Sequence, residues 1–111
     1  MLKLEAQTLR NKNYRKVLST NSNIQLVLYS LRPGETIPKE KHKGSQFIYV
    51  VCGDLCVYTN DIDKLSAGCS MIVNPRTPHE LRNEGDVLCN FYSIYSPPEH
   101  PSNALVKRQP K

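Results

Sequence analysis

Residues 34–53 read GETIPKEKHKGSQFIYVVCG, and residues 68–83 read GCSMIVNPRTPHELRN. Glu40 and His42 stand two apart, so on an extended strand their side chains leave the same face, while Lys39, Lys41 and Lys43 leave the opposite one. Gln46 lies four residues beyond His42; the intervening Lys43-Gly44-Ser45 permits a bend or bulge, which leaves its register open. His79 follows the turn-rich run Asn74 to Pro78 and begins a new strand, where it can point back at the first three. Glu40, His42, Gln46 and His79 therefore read as four metal ligands on a small β-barrel, with the lysines turned to solvent.

The rest of the chain supports strands rather than helices. Tyr14 to Leu18 and Ile24 to Leu31 alternate as strands around the turn Thr20 to Asn23. Arg32-Pro33-Gly34 is a turn in which proline presets one dihedral and glycine accepts a positive one. Phe47 to Cys52 is apolar on both faces, so something must cover its outer side. Leu55 to Tyr58, Ile62 to Leu65, Cys69 to Val73, His79 to Arg82 and Val87 to Tyr95 follow, each bounded by turn residues. No stretch carries a convincing 3.6-residue period. Short strands at intervals of roughly 8 to 12 residues predict an all-β barrel or sandwich.

At 111 residues the chain is long enough for one domain. Residues 1–13 are expected to form an arm or edge strand, residues 14–101 the barrel, and residues 102–111 a tail that packs over the barrel as an extended arm and then frays. No apolar run approaches the roughly 20 residues of a membrane span, and the N-terminus lacks a signal-peptide core, so a cytoplasmic protein is expected. The net charge of +5 gathers around Arg10 to Lys16, Lys39 to Lys43 and Lys107 to Lys111. It lacks the interleaved aromatics and glycines of an RNA-binding sheet, so solvated lysines are expected and a nucleic-acid partner is not. Cys52, Cys56, Cys69 and Cys89 contain no C-x2-C pair and read as buried free thiols. The two-sided apolar runs Phe47 to Cys52 and Val87 to Tyr95 call for a partner chain, as in a homodimer, or for the N-terminal arm.

The two quoted segments resemble the paired motifs of the cupin superfamily, G-x5-H-x-H-x3,4-E-x6-G and G-x5-P-x-G-x2-H-x3-N. Every spacing is matched. Glu40 stands where the first His is usual, Gln46 where the Glu is usual, Asn74 for Pro and Arg76 for Gly. The chain is similar in particular to small single-domain cupins with E-x-H, a following Gln-Phe and a Tyr-x-Pro-Pro-x-His-Pro segment. Here these are Glu40, His42, Gln46, Phe47 and Tyr95 to Pro101. The resemblance spans about residues 14 to 101 and implies a cupin-type jelly-roll β-barrel of two antiparallel sheets, of the kind often labelled mannose-6-phosphate isomerase-like.

Two imidazoles, one carboxylate and one amide oxygen suit divalent zinc, nickel, iron, manganese or cobalt. The leading expectation is an isomerase- or cyclase-like enzyme in which the metal polarises a sugar or other polar small molecule. The proton then moves through one of Tyr49, Tyr92, Tyr95 and His100, among which the sequence does not choose. His100, set between Glu99 and Pro101, also reads as a structural hydrogen-bonder. Glu40, His42 and His79 alone form a 2-His-1-carboxylate set, which allows a ferrous-iron dioxygenase. A non-catalytic small-molecule binding module is the alternative from a different class.

Overall fold

The computed structural model describes all 111 residues. A short helix α1 (Leu4–Arg10) precedes ten strands: β1 (Arg15–Thr20), β2 (Gln25–Leu31), β3 (Thr36–Glu40), β4 (Ser45–Cys52), β5 (Asp54–Tyr58), β6 (Ile62–Ser66), β7 (Ser70–Val73), β8 (His79–Arg82), β9 (Cys89–Ser96) and β10 (Leu105–Val106). They form two antiparallel sheets, ordered β10-β1-β2-β9-β4-β7 and β3-β8-β5-β6. The expected jelly-roll of two sheets is what the chain adopts.

The core lies between the sheets and is filled by alternate residues of each strand. In β4 these are Gln46, Ile48 and Val50, and in β9 Cys89, Phe91, Ser93 and Tyr95. Tyr29 stacks on Phe91 at 4.8 Å between ring centroids. Gly53 turns β4 into β5 with φ +80°, and a Cβ there would collide with the Leu88 carbonyl and crowd Cys89 Cα at 2.9 Å. Both the dihedral and the close approach demand glycine.

The N-terminal segment differs from the sequence expectation. Residues 4–10 are helical rather than an edge strand. Seven residues make two turns, with only Thr8 buried, and so short a segment leaves no periodic signal to read. The helix lies on the outer side of β9 and β4. There Asn90 donates from Nδ2 to the carbonyls of Thr8, Leu9 and Asn11 at 2.9, 3.3 and 3.1 Å. It thus supplies part of the cover that the two-sided apolar strands require. The tail packs over the barrel as an extended arm, as expected, with its end tied down and not frayed: Val106 and Leu105 pair with Arg15 and Lys16, and Gln109 Oε1 accepts from the Thr36 amide at 2.8 Å. All four cysteines are free, yet only Cys56 and Cys89 are buried, while Cys52 and Cys69 at strand ends are exposed. No helix is long and apolar enough to cross a membrane.

Candidate metal centre

Glu40 ends β3 and His79 opens β8, and the two are partners in register across the four-stranded sheet. A register shift between Ile37 and Glu40 re-aims the end of β3. His42 follows two residues later, where its Nε2 lies 3.3 Å from Glu40 Oε1. The His42 and His79 rings are 4.9 Å apart. One ligand atom from each of Glu40, His42 and His79 lies within 4.8 Å of the others. Lys39, Lys41 and Lys43 are all exposed, as the strand parity requires.

Gln46 comes from the other sheet. It is fully buried and pairs in register with Tyr95, whose ring stands edge-on to His42 at 5.4 Å. Its Nε2 donates to Ser93 Oγ at 2.9 Å, which leaves the amide oxygen free. The ambiguity of its register is thereby resolved towards the inner face.

Four buried side-chain polar atoms have no hydrogen-bond partner: His42 Nε2, His79 Nε2, Gln46 Oε1 and Arg15 Nε. Three of them belong to the expected ligand set. The approach of His42 Nε2 to Glu40 is close but lacks hydrogen-bond geometry. The opposite ring nitrogens are engaged. His79 Nδ1 donates to the Thr77 carbonyl at 2.8 Å, and His42 Nδ1 lies 3.3 Å from Glu99 Oε1. The Thr77 contact fixes the His79 tautomer and turns its bare Nε2 lone pair inward, while the Glu99 carboxylate stands against the Nδ1 side of the His42 ring.

Burial lowers the His79 pKa despite the opposing Thr77 carbonyl. Burial acts the same way on His42, but the Glu40 and Glu99 carboxylates outweigh it and raise the value. For Glu40, burial favours the neutral acid, and the contacts with His42 and His79 override it, so the carboxyl ionises more readily than usual. Two bare imidazole nitrogens, an ionised carboxylate and an amide oxygen form a donor set that fits a divalent first-row metal.

Of the proton-transfer candidates, Tyr95 and His100 lie by this cluster and Tyr49 and Tyr92 do not. Tyr49 and Tyr92 are paired in register on the outer face, stacked at 5.3 Å, and Tyr49 contacts Glu5 of α1. The reason is parity: Tyr49 is three residues from Gln46, and Tyr92 three from Tyr95, so each falls on the opposite side of its strand. Tyr95 hydroxyl lies 2.5 Å from Tyr29 hydroxyl. His100 packs edge-on to Tyr95 at 5.3 Å, with its Nε2 3.4 Å from Tyr29 hydroxyl. Its backbone is clamped by the Gln25 side chain, which donates to the His100 carbonyl at 2.7 Å and accepts from its amide at 2.9 Å.

Several residues that set this geometry escaped the sequence reading. Glu99, Ser93 and Tyr29 carry no motif spacing; strand parity alone places Tyr29 and Ser93 inside. Asn83, which closes the second motif, is structural: its Nδ2 donates to the Leu31 and Val87 carbonyls. Arg82 lies outside the cup, paired with Glu80 at 2.8 Å and set 4.2 Å over the Tyr58 ring. The three surface cavities also lie away from the cup, two on the outer side of the four-stranded sheet and one beside α1 and β1.

A double-sheet barrel with a histidine and carboxylate cluster at one end defines the class, and comparison with known proteins gives the family. Residues 27–95 match the Cupin domain family, and the chain belongs to it. It is 32% identical to the uncharacterized protein L612 of Acanthamoeba polyphaga mimivirus, over all of this chain and 73% of that protein. The crystal structure of BH2720 from Bacillus halodurans matches with a TM-score of 0.93 at 29% identity, over 96% of this chain and 87% of that one. An RmlC-like cupin from Shewanella frigidimarina matches with a TM-score of 0.70 at 27% identity, over 77% of this chain and 76% of that one.

Proposed function

We propose that Glu40, His42, Gln46 and His79 hold one divalent metal ion, and that the protein is a metal-dependent cupin acting on a polar small molecule in an isomerase- or cyclase-like reaction. The observation that carries this reading is the set of unpartnered atoms His42 Nε2, His79 Nε2 and Gln46 Oε1 beside the Glu40 carboxylate. An enclosed polar atom without a partner costs about 1–3 kcal/mol, and coordination would satisfy all three.

A bound zinc, nickel, iron, manganese or cobalt ion would supply Lewis acidity towards a carbonyl or hydroxyl. The chain supplies the rest. Glu99 and Thr77 orient the imidazoles, Ser93 orients Gln46, and Glu40 contributes the one negative charge. Burial raises the pKa of Tyr95 and of Tyr29, with Tyr95 a further cause for Tyr29, so both phenols stay protonated at neutral pH. Burial and then the Arg15 charge lower His100 to about 4, so its ring stays neutral. The sequence Tyr95, Tyr29, His100 is a route by which a proton moves between the cup and the C-terminal segment.

The cluster also supports a second reading. Glu40, His42 and His79 alone are two imidazoles and one carboxylate, the set suited to ferrous iron with open positions. Metal analysis of protein prepared without chelators, with calorimetric titration of the stripped protein, tests the first reading. One ion per chain is expected, and none in a His42→Ala, His79→Ala double variant. Substoichiometric metal after reconstitution, or unaltered binding in the double variant, overturns it. Oxygen consumption only with iron would favour the dioxygenase over the isomerase.

A further inference from the structure

Arg15 is the one residue with an enclosed, unpartnered polar atom that cannot serve as a metal donor. It opens β1 opposite Tyr29 of β2, and residues directly opposite in an antiparallel pair project to the same side. Tyr29 and Val17, two residues beyond Arg15, are both in the core cluster. Arg15 therefore points inward, whereas its neighbour Lys16 is exposed to solvent. The ion pairs of the molecule join His42 to Glu40 and Glu99, and Arg82 to Glu80 and Glu84; none includes Arg15.

The surroundings of this cation are those of the cup. Arg15 and Glu40 act with opposite sign on the same four groups: Tyr14, Tyr29, Tyr95 and His100. The geometry agrees: Arg15 stands opposite Tyr29, the Tyr29 hydroxyl lies 2.5 Å from that of Tyr95, and the Tyr95 ring is edge-on to His42 at 5.4 Å. A partly enclosed cation without a counter-charge is unfavourable, and buried charges are as a rule paired. The next inward position of the same strand is apolar, filled by Val17.

We propose that Arg15 binds the anionic group of the cup's ligand, which makes that ligand a small organic acid. Its carboxylate or phosphate meets the guanidinium fork, whose paired donors match either group, and an oxygen elsewhere in the molecule is offered to the metal ligands. The second half of this assignment rests on the metal reading above; the first half does not.

The test uses metal-stripped protein, so that anion binding is read without the metal. Melting temperature is followed during titration with malonate, succinate and inorganic phosphate, and with malonamide and glycerol as neutral controls at matched ionic strength. The wild type is expected to show a saturable rise with at least one anion and none with the neutral compounds. Arg15→Gln should weaken that anion's effect at least tenfold, and Arg15→Lys should keep part of it. A response to the carboxylates alone or to phosphate alone identifies the group, and either supports the assignment. Without ligand, Arg15→Gln should melt at or above the wild-type temperature, because it removes a half-buried cation that has no ion-pair partner. Its zinc affinity, measured separately, should stay within about threefold of the wild type.

An equal anion response in Arg15→Gln, no response in the wild type, or a lower ligand-free melting temperature in Arg15→Gln would overturn the proposal. If the wild type binds no metal yet shows an anion response that depends on Arg15, the metal reading fails and this one stands.

Discussion

β4 and β9 lie side by side, and their two faces have opposite characters. Inside, at the cup end, are Gln46, Ser93 and Tyr95, polar and hydrogen-bonded, with one amide oxygen left over. Outside, Leu26, Ile94, Phe47 and Ile72 stand opposite one another in register across β2, β9, β4 and β7, an apolar row of partly buried to exposed side chains. Here the interior is the more polar side. Hydrophobicity marks the inside of a strand only where the inside is core; where it is a site, the pattern inverts, and parity relative to a known inward residue is the better guide.

The sharpest way to break this comparison is to disturb the cup without touching a ligand. Glu99→Gln removes the carboxylate beside His42 Nδ1 and is expected to weaken divalent metal binding about 10–100-fold. Tyr49→Phe, on the outer face, should leave it unchanged within about twofold. Calorimetry on both variants decides, and equal affinities for Glu99→Gln and the wild type would remove Glu99 from the site.

The outer row is tested by assembly. We expect two chains to pair across Leu26, Ile94, Phe47 and Ile72, since α1 leaves this row uncovered at Ile72, which is 60% exposed. Phe47→Lys should weaken that dimer at least about tenfold and leave metal affinity intact. Light scattering of the wild type at micromolar concentration showing only a 12.6 kDa species would refute the pairing.

The smallest effect concerns the turn that aims His79. Arg76 adopts φ 61°, a left-handed conformation that costs a non-glycine residue about 1–2 kcal/mol. Its amide donates to the His42 carbonyl at 2.7 Å, so the turn is tied to the first histidine. Arg76→Gly relieves the strain but loosens the unfolded chain, for a net gain of about 0.5–1 kcal/mol in urea unfolding. A loss instead would show that the arginine side chain supports the turn.

The sequence was informative where chemistry imposes spacing. Glu40, His42 and His79 converge as read, because two-residue periodicity and a proline-rich turn leave little freedom. Gln46 was ambiguous because Gly44 and Ser45 permit several registers, and Ser93 settles it from 47 positions away. Glu99 was invisible because its contact with His42 comes from packing between segments distant in the chain. Tyr49 and Tyr92 were misplaced by attending to residue type over parity. The N-terminal helix was missed because its stability is not local.

That last point bears on the order of events during folding. Seven residues are too few for a helix to persist alone in water, and the three carbonyls at its end are satisfied by Asn90, some 80 positions further on. These seven residues therefore have to wait for β9 before they acquire a lasting helix. The helix is expected to arrive late, on a barrel already closed, and in the reverse direction to be among the first parts to come away.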